Sequence, residues 1–268
     1  MVLSLVFSLS ALTALIPAAV LPFREREGSL MLRWMWLGLA AAGPTLWTIV
    51  LLAGHWRADF SVALWLSISA SLVCFLVVCL INQTAARLGP LLLPYLFGVG
   101  IAATVFQTTE GRAIVASLPP AWVIVHVACS IATYALVTLA AVAGLSVFLS
   151  ERALKRKTVN AMTARLPAVM DSERLQVGLL IAAIIVLLVG LLSGMALQIQ
   201  ETGQMLVVDH KTILSIAAFV TIAGILVAHR HFGIRGRVAA RIVLLAYLLL
   251  TLAYPGVKFV HDVLQATV

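Results

Sequence analysis

Long apolar blocks separated by short polar ones run the length of this chain, and their spacing predicts its elements directly. A helix that crosses a bilayer needs about 20 largely apolar residues. Eight segments meet that requirement, at 3–22, 33–53, 60–82, 89–107, 121–150, 175–199, 212–230 and 237–260. The polar breaks are short except for Glu151 to Arg174, the only long polar segment. The expected fold is all-α, a polytopic membrane bundle of about eight transmembrane helices forming a single integral membrane domain over 1–268. Within that domain 1–110 is the less distinctive helical half and 121–262 the histidine-bearing one. No internal repeat or low-complexity tract is evident.

Composition strengthens this picture. The chain is 63% hydrophobic and 10% charged, with a mean hydropathy of +1.12, which excludes a water-soluble domain of this length. The first block, Met1 to Leu21, has no Lys or Arg before it, so it lacks the basic leader of a signal peptide and reads as a retained helix. A net charge of +8 in a soluble protein would point to nucleic acid, but here the basic residues sit in short loops, where membrane topology explains them and no nucleic-acid partner is expected. Arg152, Lys155, Arg156, Lys157, Arg165 and Arg174 place the long linker on the cytoplasmic side. Alternation then puts 14 of the 18 basic residues on that side and both termini on the non-cytoplasmic face, an arrangement that an odd number of spans would break. The bilayer is the first expected partner, and the inner (plasma) membrane the expected location. Cys74, Cys79 and Cys129 lie inside apolar spans without a CxxC spacing and read as buried small hydrophobes.

The candidate chemistry lies in the histidines. Alternation maps His55, His126, His210 and His261 to the non-cytoplasmic face, and His229 and His231 to the other. An intramembrane imidazole is costly, so the layout suggests a cofactor that imidazole ligates. Haem comes first, because histidine is its commonest axial anchor. His126 lies five residues past Ala121, ~7.5 Å into its helix. Ser130 and Thr133 continue a polar stripe from it, flanked by Cys129 and Tyr134, so this face is expected to look into the bundle. The alternative is a histidine hydrogen-bonded to a neighbouring helix. His210 opens the seventh span beside Asp209, which could fix its tautomer for iron; the alternative is an interfacial anchor or helix cap. Tyr254, Lys258 and His261 share one face of the last helix, either as an interfacial group or with Lys258 pairing a propionate, and Pro255 is expected to bend that helix. His229, nearer the bilayer than His231, is the better candidate to face the bundle. His55, with Trp56 and Arg57, reads as an interfacial belt. There is no HExxH, Walker loop, GxSxG or glycine-rich dinucleotide turn. All ten Asp and Glu fall in loops or at helix ends, which argues against a carboxylate proton relay. Gly190 and Gly194 form a small-xxx-small pair that reads as ordinary helix packing.

Several short motifs together resemble the cytochrome c assembly family of membrane haem-handling proteins, in particular its compact HemX/YpjD-like branch. They are His126 with Ser130 and Tyr134-Ala135; Asp171-Ser172-Glu173-Arg174; Leu192-Ser193-Gly194; His210-Lys211-Thr212 with Leu214-Ser215; Gly233-Ile234-Arg235-Gly236-Arg237; and Ala253-Tyr254-Pro255-Gly256 with Lys258-Phe259-Val260. They follow the family's order from 121 to 262, while the amino-terminal half matches only in length and span count. The resemblance implies haem binding or presentation at the outer membrane face in cytochrome c maturation, with apocytochrome c or another membrane assembly factor as partner. It implies that His126 is the first outer-face haem histidine and His229 the intramembrane histidine near the cytoplasmic side, and it sets His261 close to a second outer histidine. Larger members carry a tryptophan-rich outer loop. Here the stretch reads Met205-Leu206-Val207-Val208-Asp209-His210-Lys211, without tryptophan.

The expectation is therefore a haem b-binding assembly factor, not an enzyme, with His126 and His210 as the leading iron ligands and His229 and His261 as further cofactor contacts. Two rivals remain. A regulator or scaffold of haem biosynthesis or of another membrane protein would act through the basic 151–174 linker. A small-molecule or ion transporter would use Pro90, Pro94, Gly98 and Gly100 to interrupt the fourth span.

Overall fold

In a computed structural model, residues 2–24, 30–54, 59–108, 121–158, 160–203 and 209–260 are described. They form eight long helices: α1 (Val2–Arg24), α2 (Leu30–Gly54), α3 (Phe60–Ile81), α4 (Gly89–Val105), α5 (Ala121–Arg156), α6 (Val169–Thr202), α7 (His210–Phe232) and α8 (Gly236–Thr251). No strand occurs among the described residues. Where eight spans were expected, seven helical stretches among the described residues are long and apolar enough to cross a bilayer, five of them in α2, α3, α5, α6 and α7 and the others over Gln83–Val105 and Gly236–Phe259, which take in α4 and α8; in α1 the described apolar run is Ser4–Val20.

The helices fall into two compact units. The first comprises residues 1–115, 152–167 and 258–268, and the second 116–151 and 168–257. In the first unit α1 packs on α2 and α4, and α3 packs on the same two helices, closing a ring of four. Small residues set the tightest approach: a Cβ at Gly43 would lie 2.7 Å from the Ala14 Cβ, so α1 and α2 meet there only because position 43 is glycine. The Thr48 hydroxyl bonds the Ser69 hydroxyl at 2.7 Å, and the Ser61 hydroxyl donates to the Ala103 carbonyl at 2.6 Å, tying α2 to α3 and α3 to α4. The interruption expected in the fourth span is absent. A 3-10 turn, Gln83–Leu88, leads into α4, Pro90 stands in its first turn where the missing N–H costs nothing, and the helix runs unbroken through Pro94.

The second unit holds the expected site. Within it α6 packs on α7 and α7 on α8, while α5 meets α6 through Ser146 and Ser172, whose hydroxyls are 3.1 Å apart. At Gly144 an added Cβ would lie 3.4 Å from the Ala240 Cα, so α5 and α8 approach almost backbone to backbone. The polar linker expected from 151 to 174 is largely helical. α5 continues to Arg156 and α6 begins at Val169, because Glu151 and Glu173 both find partners at the start of α8. The Gly236 N–H donates to a Glu173 carboxylate oxygen at 2.8 Å, and Arg237 pairs with Glu151 at 3.6 Å. Two negative charges thus sit at the positive end of the α8 dipole. The preceding turn needs left-handed backbone at Gly233 (φ 64°), which closes α7, and at Gly236 (φ 62°). Past Thr251, around Pro255, the chain makes a π turn over Leu252–Gly256 in which the Val257 N–H reaches the Leu252 carbonyl.

Candidate functional site

His126 sits in the second turn of α5, partly buried. Trp122, Ile124 and Val125 before it are exposed, as lipid-facing residues are, whereas Thr133 and Tyr134 further along are buried, so the polar stripe does turn into the unit. The Ser130 hydroxyl donates to the His126 carbonyl at 2.8 Å. Tyr134 carries the stripe to α8, its hydroxyl 3.0 Å from that of Tyr247 and 3.5 Å from Thr251 Oγ1, with the Tyr254 ring centroid 6.1 Å away.

The imidazole itself leans on α6. Its Nδ1 lies 3.0 Å from the Gly190 carbonyl oxygen and 3.2 Å from Ser193 Oγ, and the Ser193 hydroxyl donates to the same Gly190 carbonyl at 2.9 Å. A carbonyl only accepts, and the serine proton is committed to it, so both partners require a protonated Nδ1. The Nδ1–H tautomer leaves a lone pair on Nε2, which makes no hydrogen bond to any described residue. This is the second-shell arrangement that metal-bound histidines use. The Gly190 and Gly194 pair, read from the sequence as ordinary packing, faces this ring.

His210 is the first residue of α7 and is exposed, with no side-chain hydrogen bond among the described residues. The expected imidazole–Asp209 contact is not made. The Asp209 carboxylate instead caps α7, accepting from the backbone N–H groups of Lys211 and Thr212, which satisfies two donors that a helix start leaves free. His229 lies at the other end of α7, ~28 Å along its axis from His210. Its Nδ1 is 3.1 Å from the Ile234 carbonyl, which again selects the Nδ1–H tautomer. It lines a shallow, partly open cleft with Glu173, Gln176, Leu180, Ile225 and Arg235. His231 is exposed. His55, His261 and the 204–208 stretch lie outside the described residues.

No hydrogen bond or ring contact joins His126 to His210 or His229, and no group of three or more His, Cys, Asp or Glu able to hold a metal ion occurs among the described residues. The three cysteines are free thiols. A haem iron fits this chemistry through a single prepared imidazole nitrogen at His126, not through a preassembled ligand cluster. Sequence reasoning did not find Gly190, Ser193 and Gly194 as neighbours of His126, nor Glu151 and Glu173 as partners of α8. In each case the partner is more than 60 residues away and leaves no local pattern.

Fold and site together define a multi-pass helical membrane protein with a hydrogen-bonded histidine held inside one bundle. The chain belongs to the cytochrome c assembly protein family, which it matches over residues 34–265. The match takes in most of the amino-terminal half, where the sequence showed only length and span count. The chain is also 48% identical over 266 residues to an uncharacterized 28.8 kDa protein in the nifR3-like 5' region of Azospirillum brasilense, covering 97% of this chain and 98% of that protein. No solved structure matches. Family membership supports a role in cytochrome c biogenesis.

Proposed function

We propose that this protein is a haem-binding assembly factor of the inner membrane, which presents or relays haem b at the non-cytoplasmic face to apocytochrome c or to another membrane assembly factor. The observation that carries the reading is the hydrogen bond from His126 Nδ1 to the Gly190 carbonyl, which holds the ring and frees Nε2 as a ligand. Bound there, haem supplies an iron that imidazole ligates. The chain's own residues orient that imidazole. His210, at the mouth of α7, is the second ligand to test, and His229 and His261 are further contacts implied by the family. A binding and assembly role needs no covalent catalysis, so the protein is proposed not to be an enzyme.

The test is the visible absorption spectrum of the detergent-purified protein, oxidised and reduced, for the wild type and for His126→Ala, His210→Ala and His229→Ala. The expected result is a Soret band that weakens or shifts in the His126 and His210 variants. A featureless spectrum that stays featureless when haem is added overturns the proposal. Lys155, Arg156 and Lys157 are all exposed; if neutralising them disturbed cytochrome c production more than any histidine change did, a regulatory role through that segment would replace the haem role.

A further inference from the structure

At the small-xxx-small pair Gly190 and Gly194, the nearest atoms that an added Cβ would meet are side-chain atoms of α5. Built on the backbone, a Cβ at Gly194 would stand 2.9 Å from His126 Cε1 and 3.3 Å from Nδ1, whereas one at Gly190 would meet only the Cys129 Cβ at 3.5 Å. The crowding therefore falls on the imidazole. Positions 190, 193 and 194 follow i, i+3, i+4 spacing and share one face of α6. That face offers the ring a carbonyl acceptor, a hydroxyl whose own proton is already committed to that carbonyl, and a gap where a side chain would begin.

We infer that Gly190, Ser193 and Gly194 form a seat that fixes both the tautomer and the depth of His126, and that Ser193 and Gly194 are positioning residues for its Nε2. Gly194 lets the ring edge settle close enough to α6 for Nδ1 to reach the Gly190 carbonyl. Ser193 shares the Nδ1–H and biases the ring further against the opposite tautomer. An alanine at 194 pushes the ring off the carbonyl, after which nothing holds the proton on Nδ1. As far as it concerns haem, this inference rests on the proposed function; the tautomer is a property of the chain alone.

The experiment uses the full-length protein labelled with 15N-histidine, in lipid, at about pH 8, above the ordinary imidazole pKa of ~6.5. The His126 signals are assigned by their loss in His126→Gln. Protonated and unprotonated ring nitrogens differ widely in 15N shift, so the tautomer is read without any bound group. The wild type is expected to show Nδ1–H alone, Gly194→Ala a mixture of tautomers, and Ser193→Ala, which keeps the Gly190 carbonyl, Nδ1–H with a smaller admixture of the other form. Haemin titrated into the same samples is expected to bind about tenfold more weakly in both variants, the usual cost of removing a second-shell partner. Gly178→Ala, on the same helix with nothing within 4 Å of the added Cβ, controls for a general effect on α6 and is expected to leave both readouts unchanged. A wild type in the Nε2–H tautomer, or a Gly194→Ala variant that keeps the wild-type tautomer, overturns the seat, and a Ser193→Ala variant without any admixture removes Ser193 from it. If haemin binds none of the proteins, the proposed function falls and the tautomer pattern still decides the seat.

Discussion

Thr133 and Tyr134 are neighbours on α5 in opposite hydrogen-bonding situations. Thr133 Oγ1 is buried without a partner among the described residues, while the Tyr134 hydroxyl reaches Tyr247 at 3.0 Å across to α8. A buried polar atom with nothing to bond costs stability, and an isosteric apolar replacement removes that cost. Thr133→Val is therefore expected to leave stability unchanged or raise it by up to ~1 kcal/mol. Tyr134→Phe is expected to lower it by ~0.6 kcal/mol, typical of an interhelical hydrogen bond in a membrane bundle. Reversible unfolding in mixed detergent, followed by helical circular dichroism, measures both, and a loss in Thr133→Val as large as in Tyr134→Phe would contradict the assignment. Much at this scale was legible in advance, because the i, i+4, i+7 stripe from His126 through Ser130 to Thr133 is a local pattern that names its own face. What the ring leans on was not legible. Gly190 acts through a backbone carbonyl, which every residue possesses, and Gly194 acts through an absent side chain.

Two helix ends make opposite demands on the same backbone region. Lys157, just past the end of α5, holds φ 54° with its N–H on the Leu154 carbonyl, a left-handed position normally given to glycine. Gly236 holds φ 62° at the start of α8, and an added Cβ there would run into the Glu151 carboxylate. The left-handed region costs a side-chain-bearing residue roughly 1–2 kcal/mol. Lys157→Gly is expected to stabilise the protein by ~0.5 kcal/mol, since the added freedom of the unfolded chain offsets part of the relief. Gly236→Ala is expected to destabilise by more than ~2 kcal/mol, because strain and collision add. The same unfolding assay checks both, and equal effects of the two changes would rule out the argument. The helices were legible from their apolar length, and the ends much less so. The polar stretch from 151 to 174 looks like a loop by composition, yet its carboxylates extend α5 and α6 to reach α8. Asp209 looked available to an imidazole until the unsatisfied N–H groups at the start of α7 claimed it.

For the chain as a whole, the sidedness of the ends turns on α1. It is helical over 23 residues, Val2–Arg24, which at 1.5 Å each spans ~35 Å against a hydrocarbon core of ~30 Å. Keeping α1 in water would be costly, since Leu5, Val6, Phe7, Leu9, Ile16 and Val20 are each 41–56% exposed on it, and each would lose roughly half of the ~1.5–3 kcal/mol that full burial of such a side chain is worth. The hydroxyls of Ser10 and Thr13 are turned back onto carbonyls of their own helix, as a lipid-facing helix requires. α1 also packs along α2 and α4, both long and apolar enough to cross. It is therefore expected to cross, which places the residues before it on the side opposite the Lys155–Lys157 segment and, by alternation, on the same side as His210. Single cysteines near residue 2, at 157 and at 210, in a background lacking Cys74, Cys79 and Cys129, can be labelled with an impermeant maleimide in spheroplasts. Reaction at 2 and 210 but not at 157 is the expected outcome. Reaction at 210 alone would leave α1 lying against the bundle without crossing and would put the amino-terminal segment with the basic residues. Reaction at 157 but not at 210 would place His126's end of the second unit in the cytoplasm and remove the basis for presenting haem at the outer face.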